Sequence, residues 1–227
     1  MRQEIHTARL ESFLERPKQY NNIDGVGELG IGFMCLCFAL LGWLQVHTPE
    51  RSLWNRPYTL MVFMAAVCGI IHYGTKAIKN RITYPRTGAV EYKTRDTVWR
   101  PLVTSFALST VAAAAAIAYV KSHRDPAVLI AVAGLILAAS YARGIARTVR
   151  WKWLVVWTMA AASILIPVLP SALLASLVGS SWITRQVPAR IVGATWLTLT
   201  LYGTLILVSG AISFRIYLRQ YPAPDQQ

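Results

Sequence analysis

Of the ten acidic side chains in this chain, only Glu28 falls inside an apolar run, and of the four histidines only His72 does. An acid in apolar surroundings is costly unless paired, and in membrane segments it marks ion or proton paths by default. Glu28 also sits in the first turn or so of the run 25–46, where a negative charge complements the helix dipole. The next run, 58–78, returns antiparallel and brings His72 and Lys76 to the same depth. Two chemistries follow. Glu28, His72 and Lys76 line an ion or ligand pathway, or a Glu28–His72 or Glu28–Lys76 pair ties two helices together.

A second group is basic. Arg143, Arg147 and Arg150 recur at i, i+4 and i+7 and share a helix face. With Arg81, Arg86, Lys93 and Lys152 they build a positive surface. Its natural counterpart is a bilayer with anionic headgroups, worth about 1 kcal/mol per basic residue. A phosphate-bearing ligand or an acidic partner protein is the sharper reading.

Other motifs lack the context their chemistry needs. Gly25-Val-Gly27-Glu-Leu-Gly30 has the GxGxxG spacing of a dinucleotide loop, but no strand precedes it and an all-apolar helix follows. With Gly32, these glycines are better placed to let another helix approach closely. Cys35 and Cys37 point about 200° apart on a helix of 3.6 residues per turn and cannot share a metal. Zinc needs three or four ligands and bis-histidine haem two at one depth. No catalytic residue, metal or cofactor is assigned. The acids form no pair beside a nucleophile, which argues against an enzyme.

These residues are carried by an unusual composition. The chain has 227 residues, 55% hydrophobic and 15% charged, where about 25% charged is ordinary for soluble domains. The apolar residues fall into six runs: 25–46, 58–78, 101–119, 126–142, 151–169 and 191–214. Each is near the ~20 residues needed to cross a bilayer. The net charge of +13 would suggest nucleic acid in a soluble protein, yet the basic residues lie in the gaps between runs. Counted along the chain, Lys and Arg number four in the arm 1–24 and two at 47–57. There are seven at 79–100 with Lys76, two at 120–125 and four at 143–152. The last two groups, at 181–190 and beyond residue 214, have two each. This alternation fits six spans with both termini in the cytoplasm. No cleavable signal peptide is expected.

Two stretches depart from plain helices. Pro167 and Pro170 interrupt the fifth run, and 170–188 continues apolar but too short to cross. It reads as an interfacial or capping segment, with a re-entrant one as the alternative. In the inner loop 79–100, Ile82-Thr-Tyr84 and 89–92 alternate around Pro85 and Gly88, which predicts a small β-hairpin.

The expectation is an all-α, six-transmembrane-helix bundle over 25–218. It has an N-terminal arm at 1–24 (an interfacial helix ended by Pro17), a cytoplasmic hairpin and a tail at 219–227. Function is expected to be that of a non-catalytic accessory, assembly or scaffold component of the plasma or inner membrane, contacting lipid and other membrane subunits. A small transporter or channel using Glu28 and His72 is the alternative, and a membrane-embedded enzyme the third reading.

Overall fold

The structure is a computed structural model that describes residues 24–87, 127–144, 149–178 and 189–222. Six helices organise these residues. They are α1 (Val26–His47), α2 (Pro57–Ile78), α3 (Ala127–Gly144), α4 (Lys152–Val168), α5 (Ser171–Val178) and α6 (Ala189–Gln220). Three helical stretches, in α1, α2 with its continuation, and α6, are long and apolar enough to cross a membrane, and α4 with α5 makes a fourth if that bent pair is one span. Helix α3 is apolar but shorter. The expected arm 1–24, apart from Asp24, and the expected run 101–119 lie outside the described residues.

Local sequence explains where the helices begin and break. Gly25 caps α1 in the left-handed conformation, φ +71°, which L-residues with a side chain avoid. Asp24 stands one residue earlier, and its Oδ1 accepts the Val26 amide at 3.1 Å. Pro57 opens α2, where its missing N–H costs nothing. Pro167 lies in the last turn of α4. Leu169 is extended (φ −55°, ψ 150°), the conformation preferred before proline, here Pro170. The chain then turns by 97° into α5. Leu174 of α5 is fully buried, and its carbonyl packs where a side chain at Gly193 would be. The apolar continuation after the prolines therefore caps the bundle as a short helix folded onto α6. Residues 179–188 lie outside the described residues.

The β-hairpin is not formed. Lys79–Thr83 makes a π-helical turn and Tyr84–Thr87 an α-helical one, so both Ile82 and Tyr84 are helical. No strand occurs among the described residues, and 88–92 lie outside them. The alternation of Ile82-Thr-Tyr84 misleads because Pro85 sits in the first turn of a new helical segment. Proline is tolerated there, and the wider π turn absorbs the offset.

Helices α1 and α6 form the principal seam and run antiparallel. Gly25 lies against Gly210 and Ser213, Gly32 against Leu207 and Gly203, and Gly203 against Leu36. On each helix the two glycines are seven residues apart, two turns, so they stay on one face. Helices α3 and α4 pack on the α6 side with Ala138, Tyr141, Val156, Met159 and Tyr202 in a common core. Helix α2 packs chiefly on α1. The start of α1, the end of α2's continuation and the end of α6 meet at one pole. There Tyr217 donates to the Thr83 carbonyl at 3.0 Å and Arg86 to the Tyr221 carbonyl at 3.0 Å.

Candidate functional site

Glu28 is 1% exposed and pairs directly with Lys152, which is 0% exposed. Its other carboxylate oxygen, Oε2, receives the Ser209 hydroxyl at 2.6 Å and the Tyr141 hydroxyl at 3.0 Å. The two hydroxyls are 2.7 Å apart. Only two hydroxyl protons serve these three contacts. Either both hydroxyls donate to the carboxylate, or one donates to the other, which donates to Glu28. Four helices thus meet at one carboxylate: α1 supplies Glu28, α3 Tyr141, α4 Lys152 and α6 Ser209. Gly210 makes the meeting possible, because a side chain there would collide with Leu29 N and the Glu28 side chain.

The partners differ from those the sequence suggested. No contact joins Glu28 to His72 or Lys76 among the described residues. Lys152, placed by sequence on the positive surface, points inward instead. It shares a face with Val155, Val156, Met159, Ser163 and Ile166, all buried and spaced by threes and fours. That shared stripe is the sequence signal that marks Lys152 as an interior residue. Tyr141 ends the equivalent face of α3, after Gly134 and Ala138.

A second polar knot lies deeper. Ser163 and Tyr202 are in direct hydroxyl contact, and the two oxygens lie 2.8 Å and 2.6 Å from the Met159 carbonyl, which accepts from one or both of them. Gly134 leaves the room, since a side chain there would meet both Ser163 and Tyr202.

Asp24, one turn before Glu28, is also buried. It accepts from Thr83 at 3.2 Å and lies 4.0 Å from Lys79. Burial raises its carboxyl above the ordinary value, while Lys79, Val26 and Thr83 hold it down.

His72 and Lys76 lie elsewhere, on the exposed side of α2, in an open groove of about 510 Å³ against α1. Of the expected basic contacts, Arg81, Arg143 and Arg150 are exposed. Arg86 is instead committed to the carbonyls of Leu218 and Tyr221, and Arg147 lies outside the described residues. At the opposite pole a smaller cavity of about 280 Å³ opens between α1, α5 and α6, walled mainly by apolar side chains such as Phe38, Leu177 and Trp196. Among the described residues no group of three or more His, Cys, Asp or Glu side chains could hold a metal.

Comparison of the chain with protein families, with curated proteins and with solved structures gives no match in any of the three.

Proposed function

We propose that this chain is a six-span membrane protein of the plasma or inner membrane, acting as a non-catalytic accessory, assembly or scaffold component of a membrane complex. The observation that carries this reading is the closure of Glu28. The one carboxylate of the apolar runs is buried, ion-paired and hydrogen-bonded by three other helices, which is the arrangement of a structural tie. The transporter reading requires a wet path to Glu28 and a shared site with His72. Glu28 is 1% exposed, and its partners are Lys152, Tyr141 and Ser209.

Topology is part of the same proposal. The pole holding Asp24, Arg86 and Tyr217 is cytoplasmic, in keeping with the positive charge of the gaps that open onto it. Helix α2 ends at this pole, and so does α3, whose Tyr141 reaches Glu28. Helix α3 therefore begins at the opposite pole, which supports a further crossing at 101–119.

The test is purification of the full chain from its own membrane in mild detergent, followed by reconstitution alone into liposomes. A stoichiometric partner by native mass spectrometry, with no ion flux from the isolated chain, is the expected result. A pH-dependent flux that Glu28→Gln abolishes in a folded protein overturns the reading.

A further inference from the structure

The groove between α1 and α2 has a graded chemistry that the buried ion pair does not explain. One wall is a single helical face of α2 and the π-helical turn that continues it: Cys68, Ile71, His72, Thr75, Lys76, Lys79 and Asn80 lie one, three or four residues apart. The deep end is apolar, with Cys68 and Ile71 facing Met34 of α1. The middle carries His72 and Thr75. The end at the cytoplasmic pole carries Lys76 and Asn80, both exposed, with Lys79 beside them. Lys79 also lies 4.0 Å from Asp24, so Lys76 is the principal cation of the groove.

The dimensions match one leaflet. From Cys68 to Lys79 is eleven residues, about 16 Å of helix. Half the hydrocarbon thickness of a bilayer is about 15 Å. Gly30 lets α1 approach within contact of Ile71 and Thr75, so the groove has a closed back as well as a wall.

We propose that this groove is a binding site for a single anionic glycerophospholipid of the cytoplasmic leaflet. Its phosphate lies against Lys76 and Asn80, its glycerol region beside Thr75 and His72, and one acyl chain along Ile71, Cys68 and Met34. The site rests on the membrane reading given above, but not on whether the protein is a scaffold or a transporter. It is separate from the exposed arginines of α3 and the turn before α4. Lysine suits the phosphate as a compact point charge with three donors, and the apolar floor selects an amphiphile over a free anion.

The experiment uses the full chain in nanodiscs of phosphatidylcholine with a minor fraction of phosphatidylglycerol, read by native mass spectrometry. Failure to insert into the nanodisc would sink the membrane reading itself, whereas the lipid count tests only the groove. One phosphatidylglycerol retained in preference to phosphatidylcholine is expected. Lys76→Gln should lower that preference about fivefold, the loss of one basic contact near the surface. Lys76→Arg should keep most of it, and Arg51→Gln, at an exposed position beyond the far end of α1 and outside the groove, should leave it unchanged. Cys68→Trp fills the apolar floor without touching charge and should also release the lipid. Absence of headgroup preference, or equal losses from Lys76→Gln and Arg51→Gln, overturns the site. Competition by inorganic phosphate at millimolar concentration would show a free-anion site and overturn the lipid assignment.

Discussion

Helix α1 has two faces that solve opposite problems. Toward α6 it is dry: Gly25, Gly32 and Glu28 meet backbone and side chains with no space to spare. Toward α2 it is open: a side chain at Gly30 would meet only the side chains of Ile71 and Thr75, and a groove runs beside Met34. In a bilayer, helices gain little from burying apolar surface against one another, because lipid tails are as apolar as leucine. Close backbone approach and internal polar contacts must therefore hold the α1–α6 face. The α2 side has one close approach, at Gly30, and polar contacts only at its end, where Asp24 meets Thr83 and Lys79, so the rest is left open. The difference teaches that small residues alone do not make a seam; they do so where they bring polar groups of several helices together.

The sharpest way to break the contrast is to strand the buried charge. Lys152→Met leaves Glu28 without its cation in the interior and should destabilise the fold by about 3–5 kcal/mol. Adding Glu28→Met to that variant should recover most of the loss, since no charge then remains buried. Reversible unfolding in bicelles measures both, and equal instability of single and double variants would show that the pair is not coupled. By contrast, Lys76→Met on the open face should change stability little.

Next in size are the seam glycines. Gly32→Ala and Gly203→Ala each place a methyl within 3 Å of a neighbour's atoms, including backbone atoms across the α1–α6 seam. A loss of about 1–3 kcal/mol is expected for each. Gly27→Ala and Gly42→Ala, where nothing lies within 4 Å, should be neutral or slightly stabilising through helix propensity. Melting temperatures of the four variants in one detergent decide it; uniform effects would dissolve the distinction between the faces.

The smallest effect concerns Asp24, at the margin between the two faces. Burial raises its folded-state carboxyl above the ordinary value of 3.8. A group raised on folding contributes fully below its unfolded value, and that contribution is lost as pH rises through the folded one. Asp24→Asn removes this dependence. Relative to the parent, the variant should therefore gain stability as pH rises from about 4 to 8. Thermal unfolding at both ends of that range checks it, and a pH-independent difference would count against a buried, titrating carboxyl.

Much of the fold was legible because its causes are local. Run length and proline placement located α1, α2, α3 and α4 to within two residues, α6 was missed by six residues at its C-terminal end, and Pro167 with Pro170 marked the bend. The glycine pattern indicated close packing in the first run, though not that Gly25 and Gly32 would meet α6 rather than the next helix in sequence. The site was only half legible. Glu28 stood out as the lone acid, but its cation did not. Lys152 follows Arg150 between two tryptophans, which reads as an interfacial position until its stripe down to Ile166 is traced. The hairpin failed for a related reason: three alternating residues beside a proline carry too little periodicity to tell a strand from a tight helical turn.

The four-helix junction also has a history in time. Glu28 precedes Lys152 by 124 residues and Ser209 by 181. A ribosome delivering this chain releases the first run long before either partner exists. The carboxylate must therefore enter the bilayer near its edge without a cation, at a depth where such a group is tolerated but unfavourable. Each later helix removes part of that cost, and the last one closes the junction. The order of synthesis makes α6 the step that commits α1 to its place, so a chain truncated before α6 should remain exposed to quality control.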